Sequence, residues 1–392
     1  MKVVSAGTPE RSDCIVTVSE GAGIIQVEGA GRFERAVIET VQRVADEFGV
    51  RTSADVKVED GGALEVVLTA RLRSAFARFL APASEKVWQW GNVRPDLPIR
   101  RRRTMMYVPG NSPNMLLRAH LFRPDALIFD LEDSVPLARK DEARALVREV
   151  LSFPNEDASC EFSVRINGMD TEFWLEDLKA VADAAAGNPR LTSVRLPKAE
   201  TPEMVRQLDE ILLQLELERD LEPGYFDVFC LLESAAAVRR AYDIASEPRV
   251  SGITIGGEDL AADLRTSRSP EGTELEWIRR MVLVAGRAAG VDVIDTAYPM
   301  VHDLDGLRVN AEAGRQLGFD GKSVLHPSQI PVVHEVYTPS PEELAKAKAV
   351  VSAAEEAERL GKGAVAVDGR MVDAPVVRRA RRILDMAGEA GK

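Results

Sequence analysis

From Thr104 onward one pattern recurs eight times: a short β-branched or apolar run, a helix-length stretch, then the next run. The runs are Met105–Val108, Ala126–Phe129, Phe162–Ile166, Ser193–Leu196, Val228–Leu232, Gly252–Ile255, Val291–Ile294 and Lys322–Leu325. Roughly 20–40 residues separate successive runs, room for one helix and two loops. Eight strand–helix units close into a (β/α)8 barrel of about 250 residues. An open doubly wound sheet is the alternative, and eight units make it the weaker one. No GxGxxG follows the first run, which removes the simplest dinucleotide reading. The predicted fold is α/β, a TIM (β/α)8 barrel over 104–338.

Residues 1–86 read as a separate small α+β domain. Ile15–Val18 and Ile24–Val27 are short strands, with turn residues Gly21 and Gly23 between them. Phe33, Val37, Val41, Val44 and Phe48 lie at helical spacing, so Arg32–Phe48 is an amphipathic helix, with Gly49 just past its end. Val56 and Val58 alternate, Asp60-Gly61-Gly62 turns the chain, Leu64–Leu68 reads as another strand and Ala70–Leu80 as a closing helix. A linker follows over 87–103. Its basic run, Arg100–Arg103, reads as a solvated boundary or, more sharply, as a phosphate contact at the barrel mouth. The tail, 339–392, holds two helices, Glu342–Leu360 and Ala374–Met386, with GKGAVAVDGRMVD between them.

Composition narrows the function. Lys plus Arg number 50 and Asp plus Glu 63, a formal net charge of −13. That argues against generic nucleic-acid binding or attachment to an anionic membrane. The three cysteines, Cys14, Cys160 and Cys230, are far apart and write no disulfide framework or CxxC site. The N-terminus lacks the apolar core of a signal peptide, and no apolar run approaches about 18 residues. The expectation is a cytoplasmic protein.

Polar residues at strand C-termini face the active site of such barrels. Here they are Asp130, Glu132 and Asp133; Arg165 and Asn167; Lys198; Glu233; Glu258 and Asp259; and Asp295 with Thr296. Any one alone reads as a helix cap. Most strands carry one, and all converge on one mouth. Several carboxylates without a histidine cluster suit a hard divalent cation, Mg2+ or Mn2+. The four histidines show no HExxH or paired spacing, and His326 reads as structural. Arg165 supplies the complementary charge for a carboxylate or enolate. The set suits C–C bond chemistry through an enolate. Lys198 is the one candidate for a Schiff base, and the acidic mouth favours the metal route.

Specific motifs then appear: YVPGN at Tyr107–Asn111, FDLEDSV at Phe129–Val135, RIN at Arg165–Asn167 and RLPK at Arg195–Lys198. GGEDL follows at Gly256–Leu260, RSPEGTEL at Arg268–Leu275, GFDGKSVLHPSQI at Gly318–Ile330 and GRMVDAP at Gly369–Pro375. Over about 102–386 the chain resembles the citrate lyase beta chain and related acyl-CoA ester lyases, the HpcH/HpaI aldolase–citrate lyase-like barrels. The resemblance implies a Mg2+-dependent lyase, usually oligomeric. It puts Glu233 and Asp259 at the metal-ligand positions and Arg165 on the keto-acid product and enolate. Asp130 and Glu132 would orient the ligands or metal-bound waters. Asp373 would be an acid on a C-terminal flap that closes over a neighbouring subunit's site.

The N-terminal stretches AGTPERSD at Ala6–Asp13 and VEDGGALEVVLTARLRSAFAR at Val58–Arg78 resemble the citrate lyase gamma chain, an acyl carrier. In that family AGT, two residues, then a serine carries a CoA-derived phosphoribosyl prosthetic group. Here that register holds Arg11, with Ser12 one place later. Either Ser12 carries the group or the domain is structural. The leading expectation is cleavage of a citryl thioester, CoA- or carrier-bound, to oxaloacetate and an acetyl thioester, by a homo-oligomer that could join an alpha-type citrate lyase subunit. The alternatives are a malyl-CoA or citramalyl-CoA lyase with a vestigial carrier domain, or a non-catalytic carrier or scaffold subunit. The last is weakened by the presence of Arg165, Glu233, Asp259 and Asp373 together.

Overall fold

Eight parallel strands close into a barrel in the computed structural model, which describes residues 3–9, 11–80, 101–152, 160–359, 365–367 and 370–387. Four strands precede them: β1 (Val3–Gly7), β2 (Cys14–Glu20), β3 (Ile25–Glu28) and β4 (Ala54–Asp60). The barrel strands are β5 (Thr104–Pro109), β6 (Ala126–Asp130), β7 (Glu161–Arg165), β8 (Leu191–Leu196), β9 (Asp227–Leu232), β10 (Val250–Ile255), β11 (Asp292–Asp295) and β12 (Gly321–Val324). They follow chain order around the ring, β12 pairs with β5, and every one coincides with an expected run.

A parallel strand covered on both faces needs an apolar residue at nearly every position, as in the wholly buried Ala126–Asp130. Outward residues pack under the surrounding helices. Inward ones, including Met105, Ala126, Ile128, Phe229 and Ile294, fill the barrel. Two arginines share that interior. Arg195 lies over the Phe229 ring at 3.8 Å and Arg102 over the same ring at 4.7 Å.

Arg102 corrects the reading of the basic run. It donates to both oxygens of Glu161 at 2.9 Å and to Asp292 at 2.8 Å. Both partners open their strands, so these ion pairs close the barrel floor, opposite the mouth. Arg103 likewise grips Asp125. Neither is a solvated boundary or a phosphate contact at the mouth. The linker from 87 to 100 lies outside the described residues.

Asp295 is also redirected. It is fully buried and held by Arg279 (2.9 and 2.6 Å) and by Lys322 Nζ (2.9 Å). Burial disfavours its charge, but Lys322 and Arg279 hold its pKa below the ordinary carboxylate value. On acidification the unfolded carboxyl, near about 3.9, takes a proton first. The stability this group contributes above about pH 4 is therefore lost as pH falls further. Urea midpoints between pH 7 and 3 are expected to fall more steeply for the native protein than for an Asp295→Asn/Lys322→Met variant. Equal slopes would remove Asp295 from the acid response.

In the N-terminal unit the sheet order is β1-β2-β4-β3. Leu64–Leu68 is not a strand. It belongs to a helix, Glu65–Phe79, and the unexpected β1 completes the sheet. The helix is apolar on two sides: Leu68, Leu72, Ala75 and Phe76 face its own sheet, while Val66, Val67 and Ala70 join the barrel core. There it packs on the helix Lys140–Ser152. Two apolar faces erase the amphipathic stripe and mimic a buried strand.

The tail helices Pro341–Arg359 and Ala374–Ala387 pack on each other. Between them is an unforeseen antiparallel ribbon, β13 (Val365–Val367) with β14 (Arg370–Val372). Among the described residues no helix is long and apolar enough to cross a membrane.

Candidate active site

The C-terminal strand ends surround a cavity of about 430 Å3. Tyr107, Asp130, Arg165, Glu233, Asp259 and Arg268 all line it.

Arg165 ends β7. Its Nε and Nη2 donate to the two oxygens of Asp130 at 2.7 and 2.8 Å. The Asp130 carboxylate also accepts from the amides of Glu132 and Ser134, which fixes it at the strand end. The Tyr107 ring lies 5.1 Å from the guanidinium carbon. Burial opposes the arginine's charge, but Asp130 holds its pKa well above the ordinary value. Nη1 lies 2.9 Å from Glu132 and 3.3 Å from Asp133. The Asp130 edge sets the orientation, and the Nη1 corner is the part that a ligand anion can engage.

Glu233 follows β9 and is 6% exposed. The neighbouring Ser234 caps the next helix, accepting from the Ala237 amide at 3.0 Å, so Glu233 is not needed as a cap. Its Oε2 accepts from the Lys198 amide at 2.9 Å. Lys198 holds a left-handed φ of 49°, a sparsely populated conformation for a non-glycine residue. A Cβ at Gly256 would lie 2.3 Å from Glu233 Oε1, so only glycine lets the carboxyl rest against the end of β10. Burial, then the charge of Glu132, pushes Glu233 up to about 8.

Glu132 is itself buried. Arg165 Nη1 and Lys198 Nζ stand 2.9 and 3.0 Å from its oxygens, yet neither oxygen receives an aligned hydrogen bond. The pairing with Glu132 raises the pKa of Lys198, which keeps that amine charged and opposes a Schiff-base role. Asp259 stands exposed in the first turn of the helix Gly257–Asp263. Among the described residues no three His, Cys, Asp or Glu side chains form a ready metal cluster. The donor set nonetheless fits a hard cation. Glu233 and Asp259, which both line the cavity, could supply two oxygen ligands, and the cavity has room for water and substrate oxygens.

The remaining expected residues lie elsewhere. Asn167 is buried against Asp177, a structural contact. Asp373 is exposed at the start of the last helix, where its Oδ1 accepts from the Val376 amide at 3.3 Å; it does not line the cavity of its own chain. Ser12 sits in a tight turn at φ 69°, its amide donating to the Gly61 carbonyl at 3.0 Å. The amide of Gly7, in the same N-terminal region, reaches Glu142, which lies in the first turn of the barrel helix that begins at the mouth end. Tyr107 and Arg268 also line the cavity, and their sequence signal is the motifs YVPGN and RSPEGTEL in which they sit.

The eight-stranded barrel carries a braced arginine and several carboxylates at its mouth, and its family makes it a carbon–carbon lyase. The chain belongs to the HpcH/HpaI aldolase/citrate lyase family, whose model matches residues 103–327. It is 42% identical over 289 residues to the citrate lyase subunit beta of Leuconostoc mesenteroides subsp. cremoris, covering 74% of this chain and 94% of that protein. A (3S)-malyl-CoA thioesterase of Cereibacter sphaeroides is 36% identical over 286 residues, covering 73% of this chain and 94% of the relative. The solved structure of CitE from Mycobacterium tuberculosis, in complex with magnesium, acetoacetate and coenzyme A, is 33% identical with a TM-score of 0.59. It is matched over 74% of this chain and 100% of its own. A citrate lyase beta subunit from M. tuberculosis, complexed with oxaloacetate and magnesium, is 32% identical with a TM-score of 0.50, over 60% of this chain and 96% of its own. Residues 1–79 match the model of the malonate decarboxylase delta subunit, so the N-terminal unit is carrier-like.

Proposed function

We propose that the barrel cleaves a citryl thioester, CoA- or carrier-bound, to oxaloacetate and an acetyl thioester, with Mg2+ held by Glu233 and Asp259. The observation that carries this reading is the single cavity that brings Arg165, braced by Asp130, to the Glu233–Asp259 pair. When bound, the cation would act as a Lewis acid on the oxygens of the oxo-acid half. Arg165 binds that half through its Nη1 corner and stabilises the negative charge that develops as the C–C bond breaks. The Lys198 amide keeps Glu233 in place, and Glu132 holds the Lys198 amine. Asp373 of a neighbouring subunit would close over the mouth and protonate the carbon of the acetyl enolate.

In this reading residues 1–86 are the carrier-like domain, 87–103 a linker, 104–338 the lyase barrel and 339–392 the flap of a homo-oligomer, with room for an alpha-type partner. Ser12 is the candidate site of a CoA-derived prosthetic group. The described cysteines are all buried thiols, which fits a reducing cytoplasm. A malyl-CoA or citramalyl-CoA lyase is the second reading, favoured by Arg11 in the register of the carrier serine.

The test starts from protein stripped of divalent ions. Glu233→Gln and Asp259→Asn are each expected to weaken Mg2+ binding, read by calorimetry, by more than the roughly 10–100-fold seen when a group that only orients a ligand is lost. Citryl-CoA cleavage should fall with it. Full activity with unchanged Mg2+ binding in either variant would sink the metal assignment. Mixing Asp373→Asn with Glu233→Ala subunits is expected to restore some activity. Mixed oligomers that form but stay dead would remove the acid in trans.

A further inference from the structure

The cavity contains a second guanidinium, and it is braced differently from the first. Arg268 follows the helix Gly257–Asp263 in the chain and is half-buried in the loop beyond it. Its Nε donates to Glu274 at 3.2 Å, and its Nη2 donates to the Ala297 carbonyl at 3.1 Å. Glu274 is tied in turn to the amide and hydroxyl of Ser269. Those contacts hold the side chain still. Its Nη1 keeps only a long 3.4 Å contact to the Thr296 hydroxyl and a 3.6 Å approach to the exposed Glu258. That nitrogen is the least committed donor on the group.

Its position depends on a missing side chain. A Cβ on Gly257 would stand 1.9 Å from Nη1 and 2.5 Å from the Thr296 hydroxyl. Gly257 therefore opens the space through which the guanidinium reaches the end of β10, two residues from Asp259. Two arginines thus face one cavity. Arg165 lies close to three carboxylates, Asp130, Glu132 and Asp133. Arg268 has one hydrogen-bonded carboxylate, Glu274 at its Nε edge, and a looser 3.6 Å approach of the exposed Glu258 to Nη1.

Arg165 and Arg268 line the same cavity as Glu233 and Asp259. We propose that Arg268 is a specificity-determining residue that binds a second carboxylate on the oxo-acid half, and so selects dicarboxylic over monocarboxylic 2-oxo acids. The inference rests on the lyase reading above and names the part of the substrate that the reading leaves open. A planar guanidinium whose Nη1 is held only by long contacts to Thr296 and Glu258 suits a carboxylate, and its bracing means little ordering is needed on binding. A charged hydrogen bond of this kind typically contributes about 1.5–3 kcal/mol, or about 10–100-fold.

Citryl-CoA and citramalyl-CoA differ by one carboxylate, so their ratio isolates this contact. Arg268→Met is expected to lower kcat/KM for citryl-CoA by about 10–100-fold and for citramalyl-CoA by less than about 3-fold. Arg268→Lys should fall between Met and native on citryl-CoA, because it keeps the charge and loses the fork. Thermal melting of each variant checks that the loop remains folded. Equal losses on both thioesters would reduce Arg268 to a brace for its loop and overturn the proposal, as would no loss on either. A parallel calorimetric arm, in Mg2+, measures oxaloacetate and pyruvate binding to native protein and to Arg268→Met. Selective loss of oxaloacetate binding supports the proposal, and parallel loss or no loss overturns it. Native protein that cleaves neither thioester overturns the lyase reading, and the binding arm then judges Arg268 alone.

Discussion

Arg165→Lys is expected to lower thioester cleavage by about 100-fold or more while the protein still melts cooperatively. The size follows from geometry. The native guanidinium spends one edge on both oxygens of Asp130, at 2.7 and 2.8 Å, holds Nη1 between Glu132 and Asp133, and lines the cavity. A lysine ammonium can meet Asp130 or the ligand, but not both at fixed angles. It keeps one positive charge among Asp130, Glu132 and Asp133, so folding should suffer much less than turnover. Arg165→Met is the poorer test, because it leaves three clustered carboxylates without their cation. Asp130→Asn should show the complementary behaviour. The charge of Arg165 survives but its orientation loosens, so kcat falls more than substrate affinity. Initial rates on citryl-CoA, with melting curves for each variant, check both. Normal rates for Arg165→Lys would mean that charge alone suffices or that another group is the clamp.

The barrel was legible because a buried parallel strand must be apolar at nearly every position. All eight runs therefore stood out against the amphipathic helices between them. The same logic misled at Leu64–Leu68, where a helix buried on two sides is as apolar as a strand. At the mouth, the placement of residues was legible in part. Arg165, Glu233 and Asp259 follow from the rule that strand C-termini carry the chemistry. Asp295 obeys that rule and is still structural, because Lys322 on the next strand and Arg279 on an outer helix meet it inside the wall. Chain order does not reveal such cross-strand partners. It also hides the supports of the site. The Lys198 amide on Glu233 and the clearance above Gly256 depend on how neighbouring strand ends align in space. Arg268 reaches the cavity only because Gly257 lacks a side chain, and neither residue signals the other in the sequence.

Arg71→Met is expected to destabilise the N-terminal unit by about 3–5 kcal/mol, because it strands a buried charge. Arg71 and Asp13 are both fully buried and meet through two hydrogen bonds of 2.9 Å. Asp13 also accepts from the Cys14 amide at 2.8 Å and from the Thr8 amide and hydroxyl at 3.1 and 2.6 Å. Its carboxylate therefore organises the turn that carries Ser12. Arg71 Nη1 stands 3.8 Å from Glu142 on the barrel, and the Gly7 amide reaches the same carboxylate at 3.4 Å. One ion cluster thus ties the turn, the helix Glu65–Phe79 and the mouth end of the barrel together. Lower on the same helix, Arg73 bridges Glu47 of its own unit to Glu149 of the barrel. The unit is consequently docked against the barrel through these charges and through Val66, Val67 and Ala70. Asp13→Asn/Arg71→Met should cost less than Arg71→Met alone, since no unpaired charge remains. Urea unfolding gives both free energies, and limited proteolysis within residues 7–13 reports release of the turn. Cleavage of free citryl-CoA by the barrel should persist in Arg71→Met, because none of these groups lines the cavity. Stability within about 0.5 kcal/mol of the native protein would show that Asp13 finds its counter-charge elsewhere. The docked geometry would then no longer depend on Arg71.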